Sequence, residues 1–222
     1  TLLLGLSFDE ITASYRNPLS SLARRCNLQQ ESLQILWPNI HEISSPSSKD
    51  ILEYANTLRK MGLVHQSLQL LARLPESPEQ ALAQAFCYIH QWNYIESRQL
   101  LEECLNYDNQ AARYYHLVKV NLSACLAFEK NYEEAINLLE SIKEDLRSAN
   151  FHLYLNALEI QGTCLTRLNR GPEAEILFAK AQELCNDSIS TTHLFIEKNR
   201  RLNQLAMQGD KLSRTQLGEM KA

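Results

Sequence analysis

The sequence predicts an all-α fold built from successive helical hairpins. Apolar residues recur at helical spacing along most of the chain, and the breakers are few, with six Gly and six Pro in 222 residues, most of them between periodic segments. Small and large residues also repeat in register between Leu117 and Cys185. There Ser123 is followed twelve residues later by Ala135, and Gly162 twelve later by Ala174. Four residues beyond each Ala stand Leu139 and Phe178, and three further on Ile142 and Ala181. A small residue in each helix lets two backbones approach, and the large ones fill the groove between neighbouring pairs.

The run Leu158-x-x-Gln161-Gly162-x-x-Leu165, followed by Ala174-x-x-x-Phe178-x-x-Ala181, resembles the tetratricopeptide repeat signature without the Trp and Tyr usual in its first half. Carried backwards, the register finds Ser123 with Leu126, Tyr132 and Leu139. It then finds Ala85 with Tyr88, Tyr94, Ser97 and Leu101, and Ala55 with Leu58, Gly62, Ser67 and Leu71. Cys87, Cys125 and Cys164 each sit two residues after the small residue of their own repeat. The resemblance implies a right-handed superhelix of about four hairpins with helical caps at both ends. The expected organisation is short N-terminal helices over 1–46, repeats over 47–186, and a capping helix and tail over 187–222. The small residues Ser123 and Gly162 are 39 apart while Ala55 and Ala85 are 30 apart, which reads as later helices longer by about a turn.

Taken in order, Ser7 to Glu10 has capping-box spacing and opens a helix to about Arg16. Asn17-Pro18 restarts the chain with Asn as cap, and Leu19, Leu22, Ala23 and Cys26 mark one face. Leu28, Leu33 and Leu36 carry a third short helix that ends before Pro38. This trio is read either as a cap or as a degenerate helix-turn-helix in which Gln29, Gln30 and Gln34 read bases and Arg24 and Arg25 hold phosphates. The polar stretch Ser44–Ser48 is the boundary, with Ser48 or Asp50 capping the next helix, and Pro75 and Pro78 end one hairpin and start another. After Asn186-Asp187-Ser188, Leu194, Ile196, Leu202 and Leu205 mark a terminal helix to about Met207, and residues 210–222 form a short polar tail.

Composition narrows the function. The net charge is −4, and because residues 197–222 carry six Lys/Arg against three Asp/Glu, the first 196 residues stand at −7. An acidic body does not suit broad nucleic-acid binding, which needs a basic face. No apolar run approaches the roughly 20 residues that span a bilayer, so no membrane partner is expected. Six scattered cysteines read as small buried groups of a reducing compartment, which points to the cytoplasm. The chain opens on Thr1 rather than Met, which reads as a piece of a longer or processed protein. The histidines lie tens of residues apart, no C-x-x-C occurs, and no phosphate loop or nucleophile elbow is present. The expectation is therefore a non-enzymatic chain without metal or cofactor. The aromatic residues Tyr94 and Tyr132 are assigned to packing, and Trp92 to a turn.

The family resemblance implies a groove lined by one face of each first helix. Carried over residue by residue, it points to Asn56 and Arg59, then Leu82, Phe86, Ile89 and His90, then Val120, Asn121, Ala124 and Ala127, and last Glu159, Thr163, Thr166 and Arg167. The chaperone-binding branch of the family grips a peptide carboxylate with Lys and Asn at set places, but Leu52, Ala83 and Leu117 stand at three of them. The resemblance thus implies an interaction scaffold or adaptor that binds a peptide or helix of another protein, with Phe86, Ile89 and Val120 as apolar contacts. Arg59 and Arg167 at the rim would favour an acidic partner. The alternative is the sensor region of a transcriptional regulator.

Overall fold

The computed structural model describes residues 11–107, 114–185 and 191–208. Among these residues the chain is all-α, with no strand. It divides into two compact units, Thr1–Ala111 and Ala112–Ala222. The predicted capping box at Ser7, the Asn186-Asp187-Ser188 junction and the 210–222 tail lie outside the described residues.

The first unit holds three antiparallel hairpins. Helix α1 (Ala13–Arg25) packs on α2 (Gln29–His41), α3 (Ser48–Lys60) on α4 (Val64–Leu71), and α5 (Pro78–His90) on α6 (Tyr94–Leu105). In the second unit α7 (Tyr115–Phe128) pairs with α8 (Tyr132–Glu140). A short α9 (Lys143–Ala149) leads to α10 (Phe151–Arg167), which pairs with α11 (Gly171–Leu184), and α12 (Thr191–Met207) packs on α10 and α11.

One turn geometry recurs in all five hairpins. The first helix ends, the next residue but one adopts positive φ, and the chain reverses: Asn27 (60°), Gly62 (83°), Trp92 (60°), Lys130 (69°) and Asn169 (60°). In each case the following amide reaches back five residues to a helix carbonyl. The five bonds are Leu28 to Ala23, Leu63 to Leu58, Asn93 to Tyr88, Asn131 to Leu126 and Arg170 to Leu165, all 2.8–2.9 Å. This is the Schellman closure of a helix C-terminus, which satisfies carbonyls that the helix leaves without partners.

Counted from those left-handed residues, the core repeats without exception. Seven positions before stand Ser20, Ala55, Ala85, Ser123 and Gly162, all buried. Five after stand Ser32, Ser67, Ser97, Ala135 and Ala174, all at 0% exposure. Nine after stand Leu36, Leu71, Leu101, Leu139 and Phe178, none above 2%. Each such large side chain contributes about 1.5–3 kcal/mol by leaving water. The small polar members are satisfied, since Ser20 Oγ donates to the Ser32 carbonyl (3.0 Å) and Ser67 Oγ to that of Ala55 (2.8 Å).

Several local expectations are corrected. Residues 13–41 form two helices, and α1–α2 is a hairpin in the common register. Helix α1 runs through Asn17-Pro18, so Asn17 is not a cap. Its amide instead donates to Asp50 Oδ1 (2.9 Å), and Pro18 lies close enough to the start of α1 that only one hydrogen bond, to the exposed Ser14 carbonyl, is lost. Helix α2 likewise continues past Pro38. Its last turn is tied down by buried Asn39, which donates to Asp50 Oδ2 (3.1 Å) and accepts from Arg16 (3.2 Å). The cap of α3 is Ser47, whose Oγ accepts from the Asp50 amide (3.1 Å).

The long spacing between Ser123 and Gly162 comes partly from α9, a separate helix anchored by fully buried Leu146. Asn150 ends it and caps α10, accepting from the Leu153 amide (3.1 Å). Five cysteines are buried as expected, but Cys26 is exposed. It sits at the C-terminal turn of α1, past the packed face.

Candidate functional site

In the first unit the predicted groove residues come from α3 and α5. Leu82 lies in the core at 6% exposure, not on an open face. Asn56, Arg59, Phe86 and Ile89 are half-buried and His90 is exposed. Arg59, Phe86 and His90 form one cluster. The Arg59 guanidinium stands 5.4 Å from the Phe86 ring centroid, and its Nη1 lies 2.7 Å from His90 Nε2. Arginine has no acceptor lone pair, so Arg59 donates and His90 Nε2 accepts, which makes the imidazole neutral with its proton on Nδ1. Burial, then the neighbouring Arg59 charge, lowers the His90 pKa below its ordinary value, in keeping with that tautomer.

Arg59 itself has an unmet demand. Its Nε is buried without a hydrogen-bond partner, and no carboxylate pairs with it among the described residues. Its pKa is lowered by burial first, with the Arg24 charge adding to that and Cys87 opposing it. The repeat register explains the deficit. Arg24 stands four residues after Ser20, as Arg59 stands four after Ala55, and Arg24 is held by Glu53 at 2.5 and 3.0 Å. Glu53 precedes Ala55 by two residues. The residue that precedes Ala85 by two is Ala83, which has no charge to offer.

In the second unit α7, α10 and α12 enclose a cleft of about 380 Å³. The expected Asn121, Ala124, Ala127, Glu159 and Thr163 line it, whereas Val120 reaches its wall but is core at 3% exposure, not an open contact. Thr166 is turned aside, donating to Asn203 Oδ1 (2.9 Å), and Arg167 is exposed outside the cleft at the end of α10. Asn156 and Ile160 of α10, Phe128 of α7, and Phe195, Lys198 and Asn199 of α12 complete the wall. Asn156 and Ile160 flank Glu159 on the same helix face, which helical spacing could have indicated. The α12 residues meet α10 from about 40 positions away and carry no local signal.

Helix α12 is fixed there by Ile196 and Leu202, at 0% and 4% exposure, while Leu194, expected on the apolar face, is exposed. Asn203 is fully buried and donates to the Gly171 carbonyl (3.0 Å), and Arg200 pairs with Glu175 (2.7 Å). On the cleft floor, Glu159 Oε1 accepts from Asn199 and from Thr163 Oγ1 (3.4 Å). Burial raises its pKa above the ordinary carboxyl value, against the opposing effects of Asn199, Thr163 and Lys198.

The buried thiols Cys104 and Cys164 are poorly placed for nucleophilic chemistry. Burial first, then nearby carboxylates, pushes Cys104 up to about 11 and Cys164 up to about 12. Among the described residues no group of three or more His, Cys, Asp or Glu could hold a metal ion, and no helix is long and apolar enough to cross a membrane. Trp92 is 56% exposed in its left-handed turn, edge-on to Tyr94 at 6.3 Å.

No protein-family model and no curated protein matches the chain. Among solved structures, MamA AMB-1 is similar in fold, with a TM-score of 0.54 at 18% identity over 81% of this chain and 94% of that one. The five-fold register and this likeness define the class: the chain is an all-α helical-repeat protein.

Proposed function

We propose that this chain is a non-catalytic protein-interaction scaffold of the tetratricopeptide type, and that the α3–α5 face of its first unit takes an acidic segment of a partner protein. One observation carries the reading: Arg59 is a half-buried cation whose repeat-equivalent, Arg24, has a carboxylate, whereas Arg59 has none. A partly desolvated charge without a counter-ion is costly, and an Asp or Glu side chain from a partner would offset that cost by accepting from the outer guanidinium N–H groups. Phe86 holds the guanidinium plane, and Asn56 and Ile89 offer a polar and an apolar contact beside it. The rest of the expected groove, Val120, Asn121, Ala124, Glu159 and Thr163, is carried by α7 and α10 of the second unit.

The test is calorimetric titration of the whole chain with capped peptides that differ only in a central Glu or Gln. The Glu peptide is expected to bind at least tenfold more tightly, less so at high salt, and Arg59→Met is expected to abolish the preference. Equal binding of the two peptides overturns the reading, as does a Glu preference that survives Arg59→Met.

A further inference from the structure

The cleft of the second unit presents the opposite chemistry. Its walls are mostly apolar, with Val120, Ala124 and Ile160 on one side and Phe195 across from them, yet a carboxylate sits among them. Among the described residues both hydrogen bonds to Glu159 fall on Oε1, from Asn199 and Thr163, Oε2 receives none, and no ion pair reaches either oxygen. Lys198 lines the same cleft with its ammonium 5.1 Å from the Phe195 ring centroid, and its field leaves the Glu159 pKa still raised by burial. A half-buried carboxylate with one oxygen left without a donor is stabilised most by a cation that brings its own hydrogen-bond donors.

We infer that this cleft binds a lysine or arginine side chain carried by an apolar segment of a partner protein. The inference rests on the scaffold reading but not on Arg59, because the two sites share no residue. The incoming ammonium or guanidinium donates to Glu159 Oε2, and its methylene stem lies along Ala124 and Ile160. The cleft volume, about 380 Å³, suits one such side chain with part of an apolar neighbour.

The experiment uses the whole chain and capped seven-residue peptides with Leu on both sides of a central Lys, norleucine or Glu, followed by fluorescence polarisation. The Lys peptide is expected to bind at least tenfold more tightly than the norleucine peptide and more tightly still than the Glu peptide. Glu159→Gln, which keeps the acceptor for Asn199 and Thr163, is expected to erase the Lys preference. Ala124→Phe, which fills the cleft without touching Glu159, is expected to remove binding of the Lys and norleucine peptides alike. Equal affinity for Lys and norleucine, or a Lys preference that survives Glu159→Gln, overturns the inference. So does an absence of Lys-peptide binding alongside a concentration-dependent dimer broken by Glu159→Gln, since the cleft would then serve a second copy of the chain. The acidic-segment reading is decided by different peptides and by Arg59, so either can fail alone.

Discussion

Gly162 of α10 lies directly beneath Phe178 of α11: a methyl group placed on Gly162 would come within 2.7 Å of two carbons of the Phe178 ring. Phe178 is fully buried, so the ring has nowhere to retreat. Gly162→Ala would gain up to about 1 kcal/mol of helix propensity. The overpacking is larger, and a net loss of about 1–2 kcal/mol is expected in urea denaturation. In a Phe178→Leu background the same change should be neutral or stabilising. A similar loss in both backgrounds would disprove the contact.

Lys130 and Gly62 occupy the same left-handed turn position, at φ 69° and 83°. A side chain with a Cβ costs about 1–2 kcal/mol there, while Gly gives some of that back in unfolded-state entropy. Lys130→Gly is therefore expected to stabilise by about 0.5–1 kcal/mol. Gly62→Ala should destabilise by a similar amount, although nothing lies within 4 Å of the new methyl. Thermal melts of the two variants check the sign.

Arg24 and Glu53 form a bidentate pair with side chains 17% and 11% exposed. Removing one partner of so enclosed a pair leaves the other uncompensated, and Arg24→Ala should cost about 2–3 kcal/mol, toward the lower end of the range for buried pairs. Arg25, which is exposed, should cost little when changed to Ala. A double-mutant cycle with Glu53→Gln separates the pair from the packing of the arginine stem. If the cycle shows no coupling, Arg24 is no template for the carboxylate that Arg59 lacks.

Glu159 has a folded-state pKa raised by burial above its ordinary value of 4.5. The folded chain therefore holds this proton to higher pH than the unfolded chain does. The stabilising contribution of the protonated acid is fully present below the unfolded pKa and is lost as pH rises through the folded one. Glu159→Gln is expected to melt higher than wild type at pH 7–8, with the difference shrinking toward pH 4. A difference that grows on acidification would contradict the burial of this carboxylate.

Much of the fold was legible because the repeat is written in residue size. Ala55, Ala85, Ser123 and Gly162 are small where helices touch, and Leu71, Leu101, Leu139 and Phe178 are large where the groove must be filled. The first hairpin reads as a cap or a degenerate helix-turn-helix, not as a repeat, because Ser20, Ser32 and Asn27 meet the same geometric demands with polar residues. Their hydroxyls are satisfied only in the folded chain, where Ser32 Oγ lies 2.8 Å from Ser20 Oγ and 2.9 Å from Thr57 Oγ1. Proline also misled, since Pro18 and Pro38 are helix stops by local rule. Around Asp50, a network joining Asn17 and Asn39 supplies the order that the missing amide bonds do not.

The sequence by itself determined the register of small and large core residues in the hairpins from α3 to α11, because steric size acts over a few residues and needs no partner. Tertiary structure alone decided which charged groups are left wanting. Arg24 and Arg59 read alike in the chain, and only the packing of α3 against α1 and of α5 against α3 gives Glu53 to the one and Ala83 to the other. In the same way Glu159 reads as an ordinary helix-face acid until α12, arriving from forty residues away, brings Asn199 and Phe195 to its cleft and leaves the carboxylate half-buried.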